Sequence, residues 1–167
     1  MTDKYAVNIE SGTLCPDNDK LEVPMRMFRV DRLNRTHRVF NVDFTFTQPL
    51  DESAEGTLLM DKWSNGKWIN MPFFPFHRDP CNVAMTMSPP GVISMWVEME
   101  RSLGIRNPGK CPVAAGHYTM KNYVIDMTYD FPFFSGRFRA TPMFRRIATK
   151  KKIFCAIIIL TFSELIN

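Results

Sequence analysis

Two cysteines and two histidines in the middle of this 167-residue chain are the residues best suited to chemistry. Cys81 and Cys111 flank a predicted helix. His77 lies four residues before the first of these cysteines and His117 six residues after the second. Thiolate and imidazole are good zinc ligands, but these spacings match no finger or ribbon signature. A disulfide between Cys81 and Cys111 is therefore the favoured prediction, with a zinc site as the alternative. Closing a loop of this length should contribute roughly 3 kcal/mol or more.

The other two cysteines have no assigned partner. Cys15 lies in a turn-forming segment, and Cys155 lies in an Ile-rich segment near the end of the chain. Each is interpreted as a free thiol or as the sign of a missing partner.

A glycosylation sequon, Asn34-Arg35-Thr36, lies between two predicted strands, where Asn34 is accessible. Sequons occur by chance, but a sequon and a predicted disulfide in the same chain together favour a secreted protein.

Acidic residues that could serve as catalytic acids or bases are scattered along the chain: Asp43, Asp61, Asp79, Glu98 and Asp126. They form no paired pattern, and the sequence contains no Gly-rich phosphate loop, nucleophile elbow or His-Glu metal helix. We therefore expect a protein that is not an enzyme and needs no cofactor.

The charge pattern argues against nucleic acid as a partner. The net charge is only +4, and the one dense basic run is Lys150-Lys151-Lys152, preceded by Arg145-Arg146. No aromatic-interleaved basic helix accompanies it.

The apolar run Ile153 to Phe162 has ten residues, half of what a membrane-spanning helix needs. Residues 1–12 are polar and show no signal peptide.

The clearest structural signal is a half-buried strand. Apolar Phe40, Val42, Phe44 and Phe46 alternate with polar residues, a period of two that no helix gives. Next, residues 57–63 and 67–71 flank Ser64-Asn65-Gly66 and predict a β-hairpin.

One helix is predicted after Ser88-Pro89-Pro90-Gly91. Its apolar residues recur at helical spacing, and Gly104 suits a C-terminal cap. These apolar residues are Val92, Met95, Trp96, Met99 and Leu103. They should cover either a sheet core or the mouth of a cavity.

The segment from Cys111 to Arg139 is interpreted as a two-strand unit. Gly116 opens a strand through Asp126, a Phe- and Pro-rich connection follows, and Ser135-Gly136 turns into a short last strand. Residues 145–167 change character. They are predicted either to add a final strand or not to fold with the sandwich domain, which then spans residues 1–144.

Fourteen Phe and twelve Met give this chain an unusual supply of bulky apolar side chains. Such side chains fill an irregular core or line a pocket that adapts to varied ligands. The pocket interpretation assigns the wall to Phe44, Phe46, Met60, Trp96, Met99, Tyr118, Phe133 and Phe134.

A series of short motifs runs along the chain. In chain order they are Arg29-Val30-Asp31-Arg32-Leu33-Asn34-Arg35-Thr36, Asp79-Pro80-Cys81, Cys111-Pro112, Gly116-His117-Tyr118, Lys121-Asn122-Tyr123, Phe131-Pro132 and Gly136-Arg137-Phe138-Arg139. This series resembles the insect-expanded family of secreted domains known as the DM-eight family, which is similar to the ML lipid-recognition superfamily. The resemblance covers roughly residues 5–144.

This resemblance implies an all-β, immunoglobulin-like antiparallel sandwich with one short helix. It also implies secretion, absence of catalysis, and a lipid or other hydrophobic small molecule held between the sheets. Some relatives are linked to chemosensory tissues and contact-pheromone detection. The rival function is a protein-interaction module with a solid core. Its exposed patch, formed by Phe73 to Phe76 and Phe131 to Phe134, would bind a receptor protein.

Overall fold

Strands make up most of the described residues, which are 4–72, 76–87, 90–129 and 135–165; the side chains of residues 84, 87 and 90–92 are not described. In this computed structural model the strands form two antiparallel sheets, so the predicted all-β sandwich is confirmed.

The larger sheet has six strands in the order β5-β4-β8-β9-β1-β7. Their bounds are β1 Lys4–Leu14, β4 Ala54–Ser64, β5 Lys67–Met71, β7 Thr128–Tyr129, β8 Gly136–Arg146 and β9 Lys152–Leu165. The smaller sheet has three strands in the order β2-β3-β6, with β2 Met27–Arg32, β3 His37–Phe46 and β6 Gly116–Asp126. Two helices, α1 Val83–Met87 and α2 Pro90–Ser102, lie between β5 and β6 in the chain.

The alternating strand was predicted correctly. In β3 the side chains of Phe40, Val42 and Phe46 are buried, while Thr45 between them is exposed. The strand therefore presents one face to the main core, where Val7, Met25, Met120, Ile125, Met127 and Tyr129 join Phe40 and Val42.

The hairpin and the helix also match the prediction. Asn65 and Gly66 both have positive φ angles, 50° and 79°, as a two-residue turn between β4 and β5 requires. At the end of α2 the Gly104 N–H donates to Arg101 O (2.9 Å) and the Ile105 N–H to Glu100 O (3.0 Å). With Gly104 at φ 89°, this is a Schellman cap.

The two-strand unit predicted for Cys111 to Arg139 is wrong. Strand β6 pairs with β3 in the smaller sheet, whereas β8 pairs with β4 and β9 in the larger one. The chain changes sheets at β7, which pairs with β1. A pattern of turn residues marks strand ends, but it does not tell which strand each edge pairs with.

The C-terminal segment is a central strand. Strand β9 lies between β8 and β1 and pairs with both over most of its length. Of the two alternatives for residues 145–167, the structure has the final strand for the described residues. A division after residue 144 would cut through β8, so both parts belong to one sandwich.

Candidate functional site

The predicted disulfide is present. Cys81 and Cys111 are joined, with their Cα atoms 5.3 Å apart, and the loop they close contains α1 and α2. Because their sulfurs bond each other, neither is a thiolate ligand, even though Asp79 lies within 4.8 Å of them. His117 is also engaged elsewhere, since its Nε2 lies 2.7 Å from Asp43 Oδ1. The alternative zinc arrangement is therefore not formed.

A second disulfide joins the two cysteines that sequence reasoning left without partners. Cys15 and Cys155 are 140 residues apart in sequence, and their Cα atoms lie 5.6 Å apart, with Cys15 directly after the end of β1 and Cys155 in β9. Both are buried and pack with Leu21. No local pattern indicated this pair, since it depends on β9 lying beside β1.

Three of the predicted wall residues form a packed aromatic cluster. The rings of Phe44 and Tyr118 stack at 5.5 Å between centroids, and Phe46 meets Phe44 edge-on at 5.2 Å. The Tyr118 hydroxyl donates to Ala114 O at 2.6 Å. Phe46 and Tyr118 belong to one core cluster with Ala54 of β4 and Ile153 of β9, so these rings fill space between the two sheets.

The other wall candidates are spread over different elements. Trp96 and Met99 lie on α2, half-buried against the main core. Met60 lies on β4 opposite Ala140, also half-buried. Phe133 and Phe134 lie outside the described residues. None of the six described candidates lines the cleft beside α2 or the cleft around Arg38, and their ligand-binding role stays a prediction.

The larger of these clefts, about 220 Å³, lies between α2 and the β6–β7 segment and is called the α2 cleft below. Its walls come from Ser94, Met95 and Glu98 on one side, and from residues 123–126, Thr128 and Tyr129 on the other. The apolar residues that α2 turns toward the core, Met95, Trp96, Met99 and Leu103, continue inward from it. Sequence reasoning identified this face of α2 but not the strands opposite it.

The polar groups of the α2 cleft suit binding better than acid–base chemistry. Burial, with the charge of Asp126, raises the pKa of Tyr129 to about 12, so its hydroxyl stays protonated. That hydroxyl lies 2.9 Å from Met95 Sδ. Asp126 Oδ1 accepts from the Thr128 hydroxyl at 2.7 Å. The cleft is thus lined by polar groups beside the apolar side chains of Met95, Val124 and Ile125.

One half-buried acid, Glu100, lies on α2 itself. The Glu100 carboxylate accepts a hydrogen bond from the Gly109 N–H at 2.6 Å. Burial raises the pKa of Glu100, and this hydrogen bond offsets only part of that effect. The contact ties α2 to the loop that leads to Cys111.

The remaining acids singled out from the sequence are held in other ways. Asp61 pairs with Arg139 at 2.8 Å on the outer face of the larger sheet. Asp43 bonds His117 on the smaller sheet. Glu98 is exposed on α2 at the rim of the cleft. The structure brings no two of these carboxylates together as a hydrogen-bonded pair among the described residues.

The sequon asparagine occupies the turn between β2 and β3. Asn34 is exposed, and its Oδ1 accepts hydrogen bonds from the backbone N–H groups of Thr36 (3.0 Å) and His37 (2.8 Å). No hydrogen bond among the described residues uses its Nδ2, the atom that a glycan modifies. Glycosylation of Asn34 stays a prediction.

Within the described part of the chain, no helix is long and apolar enough to cross a membrane. A comparison with protein-family models finds no match, and a comparison with curated proteins finds none either. The resemblance to the DM-eight family therefore stays a prediction, and the function has to be argued from the sandwich and its clefts.

Proposed function

We propose that this protein is a secreted, non-catalytic binding protein for a lipid or other hydrophobic small molecule, which enters beneath α2. The observation that carries the proposal is the position of α2. Its half-buried Met95, Trp96 and Met99 pack directly on the main core, and Met95 also borders an open cleft. A ligand that displaces these side chains replaces one apolar contact with another.

The volume of the α2 cleft favours a ligand that displaces side chains of α2 over one that fills the existing space. The α2 cleft has about 220 Å³, below the roughly 300–1,000 Å³ of typical small-molecule sites. A bulky apolar ligand therefore needs the space now occupied by α2 side chains. Met residues suit this exchange because their flexible thioethers repack around irregular shapes.

The connectivity of α2 permits such movement without unfolding the sandwich. The helix belongs to neither sheet, and the Cys81–Cys111 disulfide holds both ends of its segment. A segment with few backbone bonds to the rest of a domain opens at lower cost than its strands do. The disulfide thus limits the displacement of α2 while the sheets stay paired.

Secretion is part of the proposal. Two disulfides in one sandwich are typical of proteins that fold in an oxidising compartment, and the accessible Asn34 sequon agrees with this. The resemblance to DM-eight proteins extends the proposal to a role in insect chemosensation, with a receptor protein as a possible further partner.

Trp96 offers a direct test. The other two tryptophans, Trp63 and Trp68, form an edge-on pair on the β4–β5 hairpin, with ring centroids 5.1 Å apart. A Trp63→Phe/Trp68→Phe variant leaves Trp96 as the only indole. When this variant, made through a secretory pathway, is titrated with a fatty acid or long-chain hydrocarbon, we expect a saturable change in Trp96 emission.

The matched control is Trp96→Phe, which keeps the hairpin pair and should show no change with the same ligand. Native mass spectrometry of the wild-type protein should detect a co-purifying apolar molecule, and organic extraction should identify it. An apo mass together with unchanged Trp96 emission across a lipid mixture would refute the proposal.

The interaction module is the second candidate, and exposed residues of the β4–β5 hairpin favour it. Trp63 and Ile69 are 38% and 45% exposed. Of the two Phe-rich segments first considered, only Phe76 is described, and it is half-buried beneath Arg145, whose Cζ lies 3.4 Å from the ring centroid. Loss of receptor binding in Trp63→Ser/Ile69→Ser, with apolar-ligand binding absent in wild type, would favour this candidate.

A further inference from the structure

A second cleft, of about 170 Å³, is lined by three arginines that come from one end of the smaller sheet. Arg32 ends β2, Arg35 lies in the following turn, and Arg38 lies in β3. Asn8 of β1 and Ser163 of β9 line the opposite side. We call this cleft the arginine pocket.

Arg38 is the unusual member because it is buried and no acid in the described part of the chain pairs with it. Arg38 is only 2% exposed. Its Nη1 donates to the carbonyl oxygens of Asn34 (2.7 Å) and His37 (2.9 Å), and its Nη2 donates to Asn8 Oδ1. All three acceptors are neutral, and its Nε has no hydrogen-bond partner within residues 4–72, 76–87, 90–129 and 135–165. Buried arginines are normally paired with carboxylates.

The other two arginines do not offset this charge but add to it. Among the described residues, neither Arg32 nor Arg35 forms an ion pair, and burial together with the charge of Arg32 lowers the pKa of Arg38. Elsewhere in the protein, arginines do find acids: Arg29–Asp31, Arg137–Glu10, Arg139–Asp61, Arg145–Glu55 and Arg146–Glu22. Among the residues that the structure describes, the arginine pocket is thus a concentrated positive site with no paired acid.

We propose that the arginine pocket binds a phosphate-type oxoanion, supplied either as free phosphate or as the phosphate group of a lipid. Three guanidinium groups fit a multiply charged tetrahedral anion better than a single carboxylate, which one bidentate arginine satisfies. Arg38 contributes a fixed charge, since three acceptors hold its fork in place. Arg32 and Arg35 contribute exposed donors that close around the anion. This site is independent of ligand binding at the α2 cleft.

The test is phosphate binding by the full chain at constant ionic strength, measured by calorimetry and by the rise in melting temperature. The informative variants are Arg32→Gln and Arg35→Gln, because both side chains are exposed and their loss spares the core. The matched control is Arg26→Gln, an exposed arginine just before β2 that lies outside the pocket. We expect each pocket variant to weaken phosphate binding about tenfold or more, and the control to bind like wild type.

Vesicles separate the two sources of the anion. Phosphatidylcholine vesicles with and without phosphatidic acid are compared in the same variants. Binding of free phosphate that Arg35→Gln weakens supports the proposal. Binding to phosphatidic acid vesicles alone, again weakened by Arg35→Gln, supports it with a lipid headgroup as the source. Absence of binding to both, or equal binding by Arg35→Gln and Arg26→Gln, overturns it.

Discussion

The Cys15–Cys155 disulfide should stabilise the fold more than the Cys81–Cys111 disulfide. The two bonds close loops of very different length, with sequence separations of 140 and 30 residues. The chain-entropy relation gives about 5 kcal/mol for the long loop and about 3.6 kcal/mol for the short one. Because the Cys81–Cys111 bond lies inside the long loop and shortens its path to about 110 residues, replacing both cysteines of a pair by alanine should cost about 1.2 kcal/mol more for Cys15–Cys155.

Packing adds to this difference rather than opposing it. Cys15 and Cys155 are 6% and 3% exposed and join β1 to β9, two central strands of the larger sheet. Cys81 is 8% exposed, but Cys111 is only half-buried in the loop after α2. Truncating the more buried pair removes more contact area and leaves the larger void.

Urea unfolding followed by far-UV circular dichroism measures both costs. The variants are Cys15→Ala/Cys155→Ala and Cys81→Ala/Cys111→Ala, each keeping the other bond oxidised. Reduced wild type serves as the control, because it lacks both bonds but keeps all four side chains, so its difference from a variant lacking all four cysteines isolates the cost of truncation. If the loss for the Cys81/Cys111 variant equalled or exceeded that for Cys15/Cys155, the argument from loop length would be refuted.

Three further predictions concern single residues. Gly56→Ala should lower stability by about 1–3 kcal/mol in thermal unfolding, because the added Cβ would lie 2.5 Å from the Phe144 ring. The double variant Gly56→Ala/Phe144→Leu should restore part of this loss, because leucine is smaller than phenylalanine. If the stability losses of the two single variants simply added in the double variant, this explanation would be contradicted. Glu100→Gln should stabilise the protein at neutral pH. Because burial raises the pKa of Glu100 in the folded state, wild type loses stability as pH rises above the ordinary value of 4.5, whereas the variant does not. A difference in unfolding free energy between the two proteins that stays constant from pH 4 to 8 would exclude this cause. Glu22→Gln should destabilise the protein at pH 7 and less so in acid. Hydrogen bonding to Arg146 lowers the pKa of Glu22, so the stability that this carboxylate contributes is lost as pH falls below 4.5 through its folded-state pKa. Urea titrations of both proteins at several pH values check this.

Features fixed by neighbouring residues were predicted well. The period of two in β3, the Asn65-Gly66 turn and the Gly104 cap each depend on a few residues close in sequence. The Cys81–Cys111 pair was also found, because the predicted helix between the two cysteines suggested a use for a bond there.

Features fixed by strand pairing were missed. Strands β6 and β8 are separated in the chain order of strands only by the two-residue β7 but lie in different sheets, and β9 lies beside β1 despite their distance in sequence. Hydrophobic pattern tells which face of a strand is buried, not which neighbour it has. The Cys15–Cys155 bond was missed for the same reason.

Arg38 shows that a usable signal was overlooked. It lies two residues before Phe40, so the alternation that buries Phe40 and Val42 places Arg38 on the same inward face. Extending the period by one step would have marked a buried cation. What the sequence does not reveal is that its acceptors are neutral, because Asn8 reaches it from another sheet.

The wealth of Phe and Met is compatible with both a filled core and a ligand pocket, and composition alone does not distinguish them. The structure places Phe44, Phe46 and Tyr118 in mutual ring contact, where each fills space that a ligand would need. Removing one such ring to admit a ligand would sacrifice its contacts with the other two rings, which lie on the neighbouring strands β3 and β6. On α2, by contrast, Trp96 and Met99 are half-buried on an element outside both sheets. Exchange of these side chains for a ligand breaks no strand pairing, which is why we place the binding proposal at α2 and not at the aromatic cluster.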